Sequence, residues 1–469
     1  MPVFELGGKA MGSGSARRFA VGISFVISLC GLLAFGAASA ASAAVYYVVP
    51  GGATSGTCGS WGSACTLQAA LGVASSGDEV WVAAGVYYPS TTNTRTDTFL
   101  IPPGVAVYGG FQVGDTLLSQ RDPAANVTVL SGDIDGNDTN TDGNNIDETH
   151  NDIQGSNSYH VVWMDGTSTA ITQATVLDGF TITAGLSNDA TSIVNDEGGG
   201  LYCDGKYGGN CSPTISNVTF SGNAAGRGGA ICNEGLFGTS SPAFTNVTFN
   251  GNGAGSTGGA IFNDGHDGTS SPSFTNVTFN ANYASLDGGA IDNDGFVGTS
   301  SPTLTNVTFS GNIAGFGGAI WNDGESGTSS PILTNVILWG DAATTGNEIY
   351  NSSASATLDH CVVPSCPSGA TCTNSVTTDP LLGTLQNNGG STETMALGAG
   401  SSAIDTGTNT GCPATDQRGV TRPQGPRCDI GAYEVIVPPV TAIPALSFQG
   451  LALLGLLLAA GALGLLRRG

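Results

Sequence analysis

The feature that most constrains this chain is a unit that recurs four times in its middle. Gly-Gly-Ala-Ile begins at Gly228, Gly258, Gly288 and Gly317, at spacings of 30, 30 and 29 residues. Each copy runs on through a loop such as Gly268-Thr269-Ser270-Ser271-Pro272 and a segment such as Thr275-Asn276-Val277-Thr278-Phe279. A degenerate earlier copy begins at Gly198, with Leu201 and Tyr202 read in the Ala-Ile slots. A chain built this way lengthens by stacking units on one continuous core, so its 469 residues do not by themselves imply several domains.

Period and composition decide what the units are. The repeats show no 3.6-residue apolar period, and Gly, Thr, Asn and Val stand where a helix would use Ala, Leu or Glu. Ile231, Ile261, Ile291 and Ile320 agree in every copy, as do Asn233, Asn263, Asn293 and Asn322. Between them the residue varies: Cys232, Phe262, Asp292, Trp321. Agreement at alternate positions is a strand pattern, with Ile and Asn inward and the variable residue outward. Further along, Phe244, Phe274, Leu304 and Leu333 are apolar, and Val and Phe of the following Val-Thr-Phe triplets point inward. Asn246, Asn276, Asn306 and Asn335 fall at a corner, where Asn tolerates left-handed backbone. With coils stacked about 4.8 Å apart, the inward Asn form a hydrogen-bonded ladder and Ile and Phe form apolar columns. The expected fold is all-β: a single-stranded right-handed parallel β-helix (a solenoid) of three short strands per coil, its hand set by crossover chirality. The Asn-Val-Thr triplets match a glycosylation sequon, but their fixed place in the strands reads as packing.

The ends of the chain speak of export. Arg17 and Arg18 precede an apolar stretch from Phe19 to Phe35 and small-residue patterns at 38–43, the layout of a secretory signal peptide spanning residues 1–43. From Ile436 to Leu466 there is no charge, and Arg467 and Arg468 follow. That is the pattern of an apolar helix crossing a membrane with its basic end in the cytoplasm. Of 11 Cys, Cys30 lies in the leader, leaving an even number for disulfides in an exported chain. Cys58 with Cys65, Cys203 with Cys211, and Cys412 with Cys428 are close enough in sequence to pair; Cys232, Cys361, Cys366 and Cys372 cannot be assigned. All of the 36 acidic residues but Glu5, and only seven of the 12 basic ones, lie between 44 and 441. So acidic a body excludes nucleic acid as a partner.

Several segments resemble known families. Ile443-Pro444-Ala445-Leu446, before the apolar helix and the Arg pair, resembles the IPTL-CTERM sorting signal of Gram-negative bacteria, although Gln449 stands where that family usually has Trp. The resemblance implies recognition by a sorting protease or export machinery. Gly-Gly-Ala-Ile followed by Phe-x-x-Asn, as in Phe249–Asn252 and Phe279–Asn282, resembles the repeats of chlamydial polymorphic outer-membrane proteins, which are β-helical adhesins. No set of alternating strands for their C-terminal barrel follows, which implies a different secretion route. Thr66–Ala70 followed by Gly77–Tyr87 looks like the opening of a pectin-lyase-like helix, with a short capping helix over the open core; Val176–Ile182 looks like a further rung. Asp379–Gly383, Gly398–Asp405, Asp416–Gly419 and Cys428–Glu434 are similar to choice-of-anchor surface proteins. The organisation expected is a leader at 1–43, a β-helix at 44–360 with regular repeats in 198–341, and a helix-ending module at 361–434. A linker at 435–442 and a sorting signal with membrane helix at 443–469 complete it.

The fold hosts polysaccharide lyases and hydrolases as well as adhesins, so activity must be argued from residues. A lyase needs an Arg or Lys base beside calcium-binding carboxylates. The rungs from Gly228 to Asp341 hold no Lys or Arg, and Glu234, Asp264, Asp294 and Asp323 recur once per coil, as architecture does. A lyase cleft would require Asp133 or Asp135 to converge with Arg121 or His160; His160, in a strand-like run, reads as a rung residue. The acidic stretch 133–152 is the candidate calcium loop, through Asp133, Asp135, Asp138 and Asp142, since calcium takes many oxygens from flexible loops. From Asp138 the spacing starts like an EF-hand, but Glu148 falls one position early. No other cofactor is implied. Outward Phe262 and Trp321 are candidates to stack on sugars. The expected function is non-catalytic: a surface protein in adhesion or matrix contact, with a polysaccharide or cell-surface ligand. The alternative is a secreted polysaccharide lyase or glycoside hydrolase.

Overall fold

The computed structural model describes residues 43–437, 452 and 455–460. The expected signal peptide, Ala43 apart, and the sorting motif Ile443-Pro444-Ala445-Leu446 lie outside the described residues. Residues 455–460 are helical, and among the described residues no helix is long and apolar enough to cross a membrane.

The repeats close into coils because each contributes three strands that pair with their counterparts one rung away. One coil uses Ala243–Asn250, Gly253–Thr257 and Ile261–Asp264; the next uses Ser273–Asn280, Tyr283–Ala284 and Ile291–Asp294. All these pairings are parallel, and Ile231, Ile261, Ile291 and Ile320 stand in one register. Three sheets of 16, 8 and 6 strands therefore form the sides of a parallel β-helix, the 16-stranded one running from Val45–Ala53 to Thr371–Thr373. The short helix Leu67–Leu71 packs its buried Leu67, Ala70 and Leu71 on the first rungs and keeps water from the open end of the core. Register corrects one sequence assignment: Leu201 pairs with Ile231 and Tyr202 with Cys232, so Gly200 and Leu201 occupy the Ala-Ile slots.

Side-chain columns form the core. Phe220, Phe249, Phe279 and Phe309 stack with ring centroids 5.1, 4.7 and 4.7 Å apart and planes within 5° of parallel. Asn217, Asn246, Asn276, Asn306 and Asn335 all hold φ between 53° and 56°, the left-handed corner at which each long strand bends. The two glycines of each unit do different work. Gly258 sits at φ +66°, whereas a Cβ on Gly259 would collide with the Gly289 carbonyl of the next rung. Asn233 donates to Asn263, Asn263 to Asn293, Asn293 to Asn322 and Asn322 to Asn351, each at 2.8 Å. A second buried ladder runs Asn223, Asn252, Asn282, Asn312 and ends on Asp341.

Two predicted outward faces are in fact covered. Cys232, Phe262 and Asp292 point away from the main core, yet each is at most 4% exposed. Tyr202, Cys232 and Phe262 pack with Trp163 and Val194 into a second apolar cluster, and the Arg227 guanidinium lies 4.7 Å from the Phe262 ring centre. On another face Thr248 and Thr278 are buried by the C-terminal module. The stack continues to Thr371–Thr373, beyond the expected boundary at 360. The chain then turns back through an antiparallel hairpin, Leu382–Gln386 with Thr394–Leu397, and returns along the flank. Gln417 fixes it there. Its amide donates to Thr248 Oγ1 and Thr392 Oγ1 at 2.8 Å, and its oxygen accepts from Thr278 Oγ1 at 2.7 Å. Within the module the buried Arg422 meets Glu434 at 3.0 Å, and Arg418 meets Asp416 at 2.6 Å.

Disulfides join Cys58–Cys65, Cys203–Cys211, Cys412–Cys428 and also Cys366–Cys372, leaving Cys232 and Cys361 as buried thiols.

Candidate functional site

A concave surface with chemistry to offer lies on the flank, where two excursions from the stack face each other. Its floor is a column of outward polar residues, Ser221, Asn250, Asn280 and Ser310, one per rung. Asn280 donates to Asn250 at 2.7 Å. One wall is the acidic excursion, with Asp142, Asn144, Ile146 and Glu148; the other is the returning hairpin, with Asn387, Thr392 and Glu393. Adjoining hollows of about 420 and 840 Å³ share Asn250 and Glu393 and make one groove across consecutive rungs.

The walls are held in place from below. Asn250 donates to the Glu148 carbonyl, His150 N–H donates to the Gly251 carbonyl at 2.8 Å, and the His150 ring stacks on Tyr283 at 5.7 Å. On the other side Thr248 Oγ1 donates to the Glu393 carbonyl at 2.7 Å. The groove presents amides, hydroxyls and carboxylates without a Lys or Arg among its lining residues. It suits a neutral, hydroxyl-rich ligand and repels an anionic one. Burial, aided by nearby Glu148, holds the Glu393 carboxyl above its ordinary pKa.

The residues that a lyase cleft would have to bring together stand apart. Arg121 forms an ion pair with Asp178 and lies against Tyr108. His160 is buried between Trp163 and Tyr202, with Nδ1 2.9 Å from the Gly198 carbonyl oxygen, and burial lowers its pKa to about 4. Asp133 and Asp135 line a different hollow of about 490 Å³, beside Gln68, Tyr87 and Tyr88. Of the candidate calcium residues, Asp138 faces Asp147 and Asn157, whereas Asp142 is exposed and bonded to Asn144. Of the two outward aromatics that were candidates to stack on sugars, Phe262 is buried; Trp321 is half-buried and stacks on Tyr350 at 4.7 Å, with Phe316 edge-on to both.

Sequence spacing could not find the buried polar cluster beneath the 188–197 cover. Glu197 forms an ion pair with Arg227 and accepts from the Cys232 thiol at 3.4 Å. Glu234 accepts from Tyr202, and Lys206 reaches both Tyr202 and Asp204. Glu197, Cys232 and Glu234 are close enough in space to suggest a metal. Their chemistry does not fit one: burial pushes the Cys232 thiol well up, so it stays protonated and donates, and Arg227 already balances Glu197. The cluster fastens the cover.

Two likenesses to known proteins were found. Residues 217–234, 246–264 and 306–323 match the Chlamydia polymorphic membrane protein repeat. No curated protein matches the chain. The chain is similar to the crystal structure of pectate lyase Pel9A at 13% identity and a TM-score of 0.38, over 84% of this chain and 96% of that one.

Proposed function

We propose that this is an exported cell-surface protein whose flank groove binds an extended, neutral, hydroxyl-rich polymer, a polysaccharide of a matrix or of another cell, and that it works in adhesion rather than catalysis. The observation that carries this reading is the groove itself, a path across successive rungs floored by Asn250, Asn280 and Ser310 and free of basic side chains. Repetition along the floor suits a ligand that is itself a repeat, because each rung offers the same amide or hydroxyl one strand spacing further on. The polymorphic-membrane-protein repeats and the apolar, Arg-ended tail support placement at the cell envelope, where a sorting protease or export machinery would read Ile443-Pro444-Ala445-Leu446.

One observation favours a second reading. Burial holds the Glu393 carboxyl above its ordinary range, and Glu148 lies near enough to add to the effect. Two neighbouring carboxyl groups, one of them raised by burial, are the pairing that glycoside hydrolysis uses. The test is to incubate the full-length protein in detergent with neutral and acidic polysaccharides, measuring retention on immobilised polymer and release of reducing ends. Asn250→Lys with Asn280→Lys, which fills the groove, should abolish retention of a neutral polymer while circular dichroism stays native. Undiminished retention would overturn the groove assignment. Reducing ends that vanish with Glu393→Gln would replace adhesion by hydrolysis.

A further inference from the structure

We propose that a hollow at the last full coil, beneath the free face of Tyr350, binds a neutral pyranose at the end of a saccharide chain. The hollow exists because two of the three sheets stop early. Ala342–Thr345 ends the 6-stranded sheet and Ile349–Ser352 ends the 8-stranded one, whereas the 16-stranded sheet goes on through Thr357–Asp359 to Thr371–Thr373. Between those last two strands the chain takes a shortcut, 360–370, instead of completing a coil. The Cys366–Cys372 bond pins the shortcut, and Asn351 Nδ2 donates to the Ser368 carbonyl at 2.8 Å. A space of about 560 Å³ is left between residues 345–351 and 364–368, a size that small-ligand sites share.

The missing half-coil leaves donors unmet. One rung earlier, the N–H groups of Gly317, Gly318 and Ala319 donate to the carbonyls of Thr345, Gly346 and Glu348 at 3.1, 3.2 and 3.1 Å. Gly346, Asn347 and Glu348 hold the corresponding places in the last coil, and among the described residues their N–H groups meet no acceptor. Ser365 and Ser368 bring hydroxyls to the opposite side. No Lys, Arg or His lines the space, and its one acid, Glu348, has its carboxyl engaged with Asp341. The hollow therefore offers hydrogen-bond donors without a net charge, which favours a neutral ligand rich in acceptor oxygens.

The aromatic column supplies the other half of the recognition. Tyr350 stacks on Trp321 of the preceding rung, with ring centroids 4.7 Å apart and planes 4° from parallel, and Phe316 meets its edge at 5.4 Å. Trp321 thus covers one face of Tyr350. The opposite face looks to where a following rung would lie, no ring covers it among the described residues, and Tyr350 lines the hollow. An aromatic face is the negative side of its quadrupole, and the C–H bonds on one side of a pyranose present an apolar, slightly positive surface to it. Hydroxyls at the rim of that sugar would accept from the strand-edge N–H groups. A peptide added as a strand would accept from them too, but its path is stopped: Gly369 stands so close that a Cβ there would lie 3.3 Å from Asn351 Cβ. The same stop admits the end of a saccharide chain and not its middle. This site is separate from the flank groove and does not depend on what the groove binds.

The experiment uses the full-length protein in a detergent without a sugar headgroup. Saturation-transfer NMR and calorimetry would follow the methyl glycosides of glucose, galactose, mannose and N-acetylglucosamine. Saturable binding of at least one is expected, with the strongest transfer to the ring C–H groups of one face. Tyr350→Ala should weaken it about tenfold or more, about 1.4 kcal/mol, whereas Tyr350→Phe should keep it. Ser365→Trp, on an exposed loop, fills the hollow and should also abolish binding should Tyr350→Ala fail to fold. Asn250→Lys with Asn280→Lys should leave monosaccharide binding unchanged, which separates this site from the groove. No saturable signal from any of these sugars at millimolar concentration would overturn the inference, as would binding that survives both Tyr350→Ala and Ser365→Trp. A synthetic peptide repeating 313–323, tried alongside, would overturn it if it bound where the sugars did not, since the hollow would then be a place for an added strand.

Discussion

Replacing Asn263 by Leu tests whether the inner ladder is a structural necessity or a decoration of an apolar core. Asn263 is wholly buried, accepts from Asn233 and donates to Asn293, both at 2.8 Å. Leucine has similar volume, so cavity formation is a minor contribution. The substitution removes two hydrogen bonds, each worth about 1 kcal/mol net, and strands the Asn233 amide donor and the Asn293 oxygen, each costing about 1–3 kcal/mol when buried. Asn233 fares worst, because its own Oδ1 is already unpartnered at the head of the ladder. Local relaxation reduces the sum, and the expected loss is about 3–5 kcal/mol. Asn280→Ala, in the outward column where Asn280 makes its 2.7 Å bond to Asn250 near solvent, should cost about 1 kcal/mol or less. Urea unfolding followed by far-ultraviolet circular dichroism would compare the two in one preparation. Equal midpoints would refute the reasoning and show that stacked apolar columns alone hold the repeats in register.

Three further outcomes are expected. Phe279→Ala removes the middle of a stack between Phe249 and Phe309 and should destabilise the protein by about 3–5 kcal/mol, read by the same unfolding assay. Burial raises Glu348 to about 10, with Asp341 adding to the effect, and raises Asp264 to about 8 through burial and Glu234. The native state therefore binds more protons than the unfolded chain, so stability should fall as pH rises from the ordinary carboxyl range through neutrality. The Tm should be higher at pH 5 than at pH 8, and Glu348→Gln should flatten that slope; a Tm that climbs with pH would contradict the assignment. Gln417→Leu deletes the bonds that tie the module to Thr248 and Thr278 and should expose 377–435 to limited proteolysis before the rungs themselves are cut.

Much of the fold is legible in the sequence because stacking repeats the same local demand on every rung. Agreement at Ile231, Ile261, Ile291 and Ile320, with variation beside them, reveals strand alternation, and corner Asn are the residue type that accepts φ near +54°. Such signals come from neighbours in the chain. The degenerate rung at Gly198 shows their limit: one extra Gly hides the register, and only pairing with Ile231 places Leu201 correctly. The groove was not legible. Its floor residues are ordinary outward positions, and its walls come from segments far apart in sequence, near 142–148 and 387–393. The acidic stretch stood out by composition, but only the bonds of the Asp147 main chain to Thr183 and Ser221 separate that buried residue from exposed Asp142.

The sequence by itself determined that the chain stacks: its period, alternation and turn residues leave a parallel array as the way to bury every Ile and Phe. Tertiary structure decided what the outside of that array is. Alternation reports which way a side chain leaves its strand, but not what later comes to lie over it. Cys232 and Phe262 are buried because 188–197 folds across them, and Thr248 and Thr278 because the chain doubles back after Thr373. Those contacts join residues up to 170 positions apart, and no local pattern can record them.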